Sequence, residues 1–554
     1  MKALPIIQLI GTVALLGGSA LAADSPRNAG RDRALDSITG ADMGRHVSVL
    51  ASDEFGGRAP STPGEEKTLQ YITGQFREYG IRKPAGGYLQ KVPLLRKTVS
   101  DAAITVAGRQ GSIELKLGDN MLAKTGGDAG RVVIKDSDLV FVGYGIVADE
   151  LGWNDYDGVD VTGKTVVVLM NDPAGVADSL YFKGRALSHY GTSTFKGEVA
   201  GRMGARGVLY VHDEAVAGYP WQAVATSARQ PKYQLQKGKD AAPSTEFWVT
   251  LPIATAREIF TSAGADFDQL AETARAPGFR AVEVAARVSG TIAASVERST
   301  SHNVIGYIRG SEQPDEYVVY TAHWDHVGIG AVVDGDSIYN GAVDNATGTA
   351  ALLELAQAYA SLPAPPRRSV VFVAMTAEEQ GLLGSYHYAD HPVFPLENTV
   401  AVINMDALFP FDDWNGMTVV AMGSSELEDY MSAAAKELGR GLQADPQPEF
   451  GAFFRSDHYP FAKKGVPAIF AVGGPLDEPA PPDAIMQRFT DYVTNSYHRP
   501  SDEYGSDWNL DGIAGDTKVY FLTGYAIAND DRVPNWYFDS EFRSLRDEQI
   551  EKKR

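Results

Sequence analysis

Three apolar runs decide the fold: EYVVYTAHWDH at residues 316–326, SVVFVAMTAEE at 369–379 and TVAVINMD at 399–406. Each run is continuously apolar over most of its length, which is typical of strands buried on both faces in a parallel or mixed sheet covered by helices. Each run also ends in acidic or histidine side chains. Because open α/β sheets bind ligands beyond the carboxyl ends of their strands, we expect these side chains to converge.

The side chains at the ends of the runs indicate a metal site. They are His323, Glu378, Glu379 and Asp406. One histidine and several carboxylates without cysteine form a nitrogen and oxygen ligand set, for which zinc is the expected ion. A single polar residue after a strand is usually a solvated loop residue, but one histidine and three acidic residues in one block favour a functional site. Between the first two runs, NGAVDNA at 340–346 leads into a helix rich in alanine and leucine.

The composition limits the possible classes of protein. The 554 residues exceed one ordinary hydrophobic core, so two or more domains are expected. The chain is 44% hydrophobic and 22% charged, as soluble globular proteins are. Its formal net charge of −21 argues against nucleic acid and anionic membrane surfaces as partners, because both require clustered lysine and arginine. With no cysteine, the chain forms no disulfide, and stability must come from the core and bound metal.

The N-terminus has the pattern of a secretory signal peptide. Lys2 precedes an apolar stretch from Ala3 to Leu16, and the small residues before Asp24 fit cleavage after Ala22. A membrane anchor is the alternative, but the stretch is short for a span and Gln8 interrupts it. We therefore expect a periplasmic or secreted protein with no stable membrane insertion after signal removal.

Changes in sequence texture divide the chain into segments. From about residue 139, short strands separated by turns appear without a cluster of possible metal ligands, which predicts a smaller α+β or β-rich domain inserted before the metal-bearing sheet. The predicted segments are a signal peptide at 1–22, a flexible segment at 23–40, the first part of the main domain at 41–137, the insert at 138–285, the second, catalytic part at 286–528 and a charged tail at 529–554.

The chain resembles the family-28 metallopeptidases, the co-catalytic zinc aminopeptidases, in the subgroup with an inserted protease-associated domain. The motifs that carry the resemblance are, in order, HWDH at 323–326, NGAVDNA at 340–346, TAEEQGLLGS at 376–385, INMD at 403–406 and YHRPSD at 497–502. The resemblance covers about residues 41–525. It implies the zinc exopeptidase fold, an α/β fold with a mixed, mostly parallel sheet sandwiched by helices, and it implies that the insert is the protease-associated domain.

The resemblance also implies two zinc ions per chain. The implied ligands are His323 and Asp406 for one ion, Glu379 and His498 for the other, and Asp344 as a bridge. Glu378 would be the general base that acts on a water bridging the two ions. Asp325 would accept a hydrogen bond from the other ring nitrogen of His323 and fix its tautomer.

Three further residues near these motifs are less constrained. His326 is expected to pack or hydrogen-bond near the site rather than bind metal. Asp457 and His458 lie in a loop that precedes a predicted strand, where they either line the substrate pocket or have a structural role.

The sequence therefore predicts an exported di-zinc aminopeptidase acting on peptides with a free N-terminus. The alternatives on the same fold are a carboxypeptidase- or dipeptidase-like zinc hydrolase, a glutaminyl cyclase and a receptor-like binding protein. Cyclisation uses one zinc ion, so a complete two-ion ligand set disfavours it. A receptor would lack a ligand or Glu378, and neither is missing.

Overall fold

The computed structural model describes residues 26–173, 182–225, 227–236, 238, 243–410, 414–476 and 483–553. The predicted signal peptide at 1–22 lies outside these residues. Within the described ranges, none of the helices combines the length and the apolar character that a bilayer span requires.

Helices and strands follow one another along the whole described chain. The helices are α1 (Pro26–Asp36), α2 (Gly40–Leu50), α3 (Pro63–Glu78), α4 (Ser193–Arg202), α5 (Glu214–Ala217), α6 (Trp221–Ala225), α7 (Ile253–Ala263), α8 (Phe267–Thr273), α9 (Thr347–Ala360), α10 (Leu383–Asp390), α11 (Leu427–Glu437), α12 (Tyr459–Ala462), α13 (Asp483–Asn495), α14 (Asp511–Asn529) and α15 (Arg543–Lys553). The strands are β1 (Leu89–Gly108), β2 (Gly111–Lys116), β3 (Leu122–Thr125), β4 (Arg131–Phe141), β5 (Val147–Ala148), β6 (Trp153–Asn154), β7 (Thr165–Leu169), β8 (Gly207–His212), β9 (Lys232–Leu235), β10 (Phe247–Pro252), β11 (Val282–Ile308), β12 (Gln313–His323), β13 (Gly328–Val333), β14 (Asp336–Tyr339), β15 (Arg368–Met375), β16 (Thr399–Asn404), β17 (Gly416–Val419), β18 (Gly441–Ala444) and β19 (Ala468–Gly474).

Four parallel strands form the centre of the metal-bearing part of the sheet. Their spatial order is β15, β12, β16 and β19. At one side β17 pairs antiparallel with β19 and parallel with β18, and at the other β11 pairs antiparallel with β15. The predicted fold class, an α/β fold with a mixed and mostly parallel sheet between helices, is confirmed.

Both faces of the central strands are buried, as their continuous apolar sequences predict. On β12, Val318 and Tyr320 belong to a core that also takes in residues of α2, α3, α9, α11 and α14. The alternate residues Tyr317 and Val319 point into a different core, which includes residues of α10 and α12. Because successive side chains of a strand point to opposite faces, this division places helices on both sides of the sheet.

A second hydrophobic core is built from residues between Val99 and Ala294. Its parallel strands β4, β7, β8 and β10 lie side by side, and α4, α7 and α8 contribute to the same core. The 20-residue β1 and the 27-residue β11 form an antiparallel ribbon that joins this core to the metal-bearing sheet. The second core begins before the predicted boundary at residue 138, because β2, β3 and the start of β4 also pack into it. That this unit is an inserted protease-associated domain stays a prediction.

The prediction of a flexible segment at 23–40 is wrong for its described part. Residues 26–36 form α1, and Ala34 and Ile38 are fully buried in the main core. Arg31 pairs with Glu437 of α11 at 2.7 Å. The prediction failed because the segment is mostly polar, and only a few apolar side chains anchor it in the core.

The predicted charged tail at 529–554 is anchored as well. Residues Arg543–Lys553 of this segment form the helix α15. However, Trp536 is fully buried and its Nε1 donates to the carbonyl of Gly465 at 3.0 Å. Arg546, 2% exposed, donates from Nη2 to the carbonyl of Thr399 at 3.0 Å. The segment is therefore part of the core, because one large aromatic residue outweighs its charged neighbours.

Candidate metal centre

The side chains at the three strand ends meet at one edge of the sheet. His323 is the last residue of β12, Glu378 and Glu379 follow the end of β15, and Asp406 follows the end of β16. These strands are neighbours and parallel, so their carboxyl ends lie together. Asp344 reaches the same place from the turn between β14 and α9.

A first group of possible metal ligands surrounds His323, which is 1% exposed. Its Nε2 lies 3.0 Å from Oδ1 of Asp406 and 3.3 Å from Oδ1 of Asp344. These three ligand atoms are close enough to hold one ion. The geometry brings together the residues that the sequence assigned to the first ion and to the bridge.

A second group lies at the other oxygen of Asp344. Oδ2 of Asp344 is 3.0 Å from Nε2 of His498, and the same nitrogen is 3.1 Å from Oε2 of Glu379. The two oxygens of the Asp344 carboxylate thus face different histidines. His498 itself lies at the rim, with 40% of its side chain exposed.

His326 is a candidate ligand that the sequence reasoning missed. Its Nδ1 lies 2.6 Å from Oε1 of Glu379, but the two atoms do not have hydrogen-bond geometry. Both ring nitrogens are buried without a hydrogen-bond partner among the described residues, and His326 forms a possible ion-binding group with Asp344 and Glu379. The HWDH motif contains no signal for this, since the direction of the ring depends on tertiary packing.

The hydrogen bond between His323 and Asp325 involves the main-chain oxygen of Asp325 and not its carboxylate. The distance from Nδ1 of His323 to Oδ1 of Asp325 is 3.9 Å, whereas the distance to the main-chain oxygen of Asp325 is 3.1 Å. The carboxylate instead accepts the main-chain N–H of Glu378 at 3.1 Å. Asp325 therefore contacts His323 through its carbonyl and fixes the segment of the two glutamates through its side chain.

Asp502 holds the turn that carries Asp344. Its two carboxylate oxygens accept the main-chain N–H groups of Val343 and Asp344 at 3.0 and 3.1 Å, and Tyr492 donates to it at 3.2 Å. The Asp344–Asn345 peptide bond in this turn is cis. Because Asp502 follows His498 closely in the chain, this contact ties the histidine segment to the Asp344 turn.

A chain of polar side chains orients Asp406. Thr321 of β12 donates to Oδ1 of Asn404 at 2.6 Å, and Nδ2 of Asn404 donates to Ser456 at 2.7 Å. Ser456 then donates to Oδ2 of Asp406 at 2.5 Å. This leaves Oδ1 of Asp406 free to face His323, and such partners of ligand side chains tune metal affinity.

Asp457 and His458 do not line a surface pocket, since both are fully buried. Oδ1 of Asp457 accepts a hydrogen bond from Ser385 at 2.6 Å. The ring of His458 packs against Phe453 and Phe470, with centroid distances of 4.5 and 5.3 Å. The structural alternative is therefore the one the geometry favours for both residues.

The site gathers more negative charge than its own residues balance. Burial raises the pKa of Asp325 to about 8 and that of Asp457 to about 7, in part because of other carboxylates nearby. Burial, and next the carboxylates of Asp406 and Glu379, hold the pKa of Glu378 well above its usual range against the effect of His323. Carboxylates crowded in this way favour either protons or cations, and a divalent ion satisfies several of them at once.

A comparison with known families adds to this geometry. Residues 303–522 match the family model described as "Peptidase family M28". This segment belongs to peptidase family M28. The M28 segment contains His323, Asp344, Glu379, Asp406 and His498, and it ends within α14.

Relatives of the M28 segment carry names for two kinds of exopeptidase. The chain is 36% identical to the aminopeptidase NAALADL1 of Mus musculus over 148 residues, which cover 26% of this chain and 18% of that protein. It is 31% identical to a glutamate carboxypeptidase 2 homolog of Caenorhabditis elegans over 209 residues, which cover 36% of this chain and 24% of that protein. The matches thus span about a fifth to a quarter of these relatives.

Among solved structures, the chain is similar to an aminopeptidase from Aneurinibacillus sp. strain AM-1. The sequence identity is 18%, the TM-score is 0.49, and the superposition covers 91% of this chain and 97% of that one.

Proposed function

We propose that the protein is a metallo-aminopeptidase that uses two zinc ions to remove the N-terminal residue of a peptide. The observation that carries the proposal is the position of Asp344. Its Oδ1 faces His323 and Asp406, while its Oδ2 faces His498 and, beyond it, Glu379. A carboxylate with a separate ligand set at each oxygen has the arrangement needed to bridge two ions.

The residues present fit zinc as the bound ion. Histidine nitrogens and carboxylate oxygens are zinc donors, and the described ligand groups contain no cysteine. Oε1 of Glu379 is buried without a hydrogen bond among the described residues. A buried carboxylate oxygen without such a bond is costly, so a cation bound by Glu379 explains the arrangement.

Two zinc ions would supply a polarised scissile carbonyl and a water of lowered pKa. The chain supplies the base. Oε2 of Glu378 lies 3.9 Å from His323 and outside both ligand groups, while its neighbour Glu379 lies within the second one. Its position beside the ligand groups suits a carboxylate that takes a proton from the attacking water and passes it to the leaving amine.

The charge balance favours a substrate that carries an ammonium group. The carboxyl groups at or beside the centre are Asp325, Asp344, Glu378, Glu379, Asp406, Asp457 and Asp502. If two bound divalent ions displace the protons from these groups, the ions and the buried guanidinium of Arg58 would compensate five of the seven negative charges. An anionic site attracts the free α-amine of a peptide more strongly than a C-terminal carboxylate.

We also propose export of the protein, which the signal-like sequence at 1–22 supports. The second hydrophobic core is proposed to be the protease-associated domain. It contacts the metal-bearing half through His189, whose Nδ1 lies 2.7 Å from the hydroxyl of Tyr459, near the loop that contains Ser456.

The experiment compares Glu378→Gln with the wild type on aminoacyl-nitroanilides, their N-acetylated forms and dipeptides with a C-terminal glutamate. We expect the wild type to cleave only substrates with a free amine. The variant should keep its zinc and lose about 10²- to 10⁴-fold in kcat, because it lacks the group that moves the proton. Glu397→Gln is the control, since Glu397 is exposed just before β16, at the opposite end of the strand from Asp406.

Each of the other possible results would contradict a different part of the proposed function. Cleavage of N-acetylated substrates or of dipeptides through their C-terminal glutamate would refute the aminopeptidase assignment and favour the carboxypeptidase- or dipeptidase-like alternative. A folded, zinc-free wild type without turnover would favour a binding protein. A Glu378→Gln variant as active as the Glu397 control would refute the assigned base.

Two histidines, His326 and His498, lie close enough to Glu379 to be the ligand of the second ion. We propose His498 as the ligand, supported by its distances to Asp344 and Glu379 and by the YHRPSD motif. His498→Ala should then bind one zinc less per chain, and His326→Ala should keep both. The opposite pattern of zinc content would assign the ligand role to His326.

A further inference from the structure

Arg58 is a buried arginine whose hydrogen bonds reach both loops of the metal centre. The side chain is 1% exposed. Its acceptors are the main-chain carbonyls of Trp324 at 2.9 Å, Leu50 at 2.7 Å, Asn340 at 2.6 Å and Gly341 at 2.8 Å. Trp324 lies between His323 and Asp325, and Gly341 begins the turn that carries Asp344.

The backbone that presents Arg58 is unusual. Gly56, Gly57 and Arg58 have φ values of 54°, 66° and 53°, three left-handed residues in succession. Residues other than glycine adopt this region rarely and only at single positions. A Cβ atom on Gly57 would lie 2.3 Å from the carbonyl oxygen of Tyr339, the residue before Asn340. The turn is therefore held tightly against the entrance to the Asp344 loop, as strained segments at functional sites are.

The same segment contacts this loop through a second side chain. Nδ2 of Asn340 donates to the carbonyl of Ala51 and to Oδ1 of Asp53, both at 2.8 Å. The Asn340–Gly341 stretch is thus connected to residues 51–58 by contacts in both directions. These residues precede the M28 segment at 303–522 by far in the sequence.

The charge of Arg58 also belongs to the metal centre. Burial lowers its pKa to about 10, while Asp502, Asp325, Asp344 and Glu379 act in the opposite direction. The group stays cationic at neutral pH. All four of its hydrogen-bond acceptors are neutral carbonyls, so the positive charge is balanced by the carboxylates of the centre across the loops that it holds.

We propose that Arg58 is a positioning residue that fixes the His323 loop and the Asp344 loop relative to each other and so sets the affinity of the site for zinc. This inference rests on the proposed function, because it assumes that these loops bind metal. It assigns a part of the metal centre to residues 50–58, outside the M28 segment. A planar guanidinium with a fixed fork of donors is suited to hold carbonyls of separate loops, whereas a lysine ammonium cannot reach all four.

The experiment measures the zinc affinity of the metal-free full chain by competition with a chelating dye, beside urea unfolding of the same metal-free protein. The variants are Arg58→Lys, which keeps the charge, and Asn340→Ala, which keeps Arg58 but removes the second connection. We expect Arg58→Lys to bind zinc about 10- to 100-fold more weakly, as loss of a partner behind metal ligands does. Asn340→Ala should weaken binding in the same direction.

Arg546→Lys is the matched control. Arg546 is also buried and also donates to a main-chain carbonyl, but at the amino end of β16, away from the metal centre. It should lose stability in urea and keep the zinc affinity of the wild type.

The outcomes separate the inference from the proposed function. If Arg58→Lys folds and binds zinc within about threefold of the wild-type affinity, the inference is overturned, because Arg58 then does not set the affinity of the site for zinc. If Arg58→Lys does not fold, Arg58→Gln is measured in its place, and zinc affinity within about threefold of the wild type for this variant overturns the inference. A folded wild type that binds no zinc overturns the proposed function and the inference together.

Discussion

Trp536→Ala tests how firmly the C-terminal segment belongs to the core. The side chain is fully buried, lies in the core that covers one face of β12 and β15, and has its ring centroid 5.1 Å from that of Phe542. Removing a buried tryptophan costs about 3–5 kcal/mol through lost burial and the cavity left behind. Losing the hydrogen bond to Gly465 adds about 1 kcal/mol. We therefore expect a loss of about 4–6 kcal/mol in the free energy of unfolding.

The assay is urea unfolding followed by tryptophan fluorescence and circular dichroism, with thermal unfolding in parallel. Phe538→Ala is the control, since Phe538 lies two residues further on but is 93% exposed. It should change the stability by less than about 0.5 kcal/mol. If Trp536→Ala also stays within about 1 kcal/mol of the wild type, the segment is a peripheral tail and the burial argument is refuted.

Two further predictions concern pH and the orientation of Asp406. Burial lowers the pKa of His189 and of His458 from 6.5 to about 3. In the folded protein both rings stay neutral, whereas in the unfolded chain they gain protons as the pH falls below 6.5. Acid therefore favours the unfolded chain. Each histidine should lower the free energy of unfolding by about 2 kcal/mol between pH 7 and pH 5. Urea unfolding of metal-free protein at both pH values should show a smaller fall for His458→Leu, and an unchanged fall would contradict the assignment. Ser456→Ala should weaken zinc binding about 10- to 100-fold, because Asp406 loses the donor that orients it. Ser37→Ala removes a part-buried hydrogen bond to the carbonyl of Ala34 in α1 and should bind zinc as the wild type does. Equal affinities for the two variants would refute the role of Ser456.

The strands and the ligand positions at their ends were predictable because both depend on local sequence. A strand buried on both faces must be apolar throughout, as β12 and β15 are. Once the strands are parallel neighbours, their ends coincide, and His323, Glu379 and Asp406 meet without further information. The resemblance to the family-28 metallopeptidases then implied Asp344 and His498 as further ligands.

The remaining features depend on contacts between distant parts of the chain. Arg58 donates to a carbonyl 266 residues away, and no local pattern marks such a contact. The Asp325 carboxylate could accept from either His323 or the main-chain N–H of Glu378, and in the structure its side chain points to the N–H of Glu378. The roles of His326 and His458 could not be predicted, because the sequence pattern does not show whether a histidine ring faces a carboxylate or packs between aromatic rings.

The stoichiometry of bound zinc in the wild type and in Asp344→Ala tests the central claim most directly. The protein is saturated with zinc, dialysed and analysed by mass spectrometry of the metal together with the protein concentration. The account predicts two zinc ions per wild-type chain and fewer than one in Asp344→Ala, since that variant removes the shared ligand from both ions. One ion in the wild type, or two ions retained by a folded Asp344→Ala, would contradict a centre bridged by Asp344.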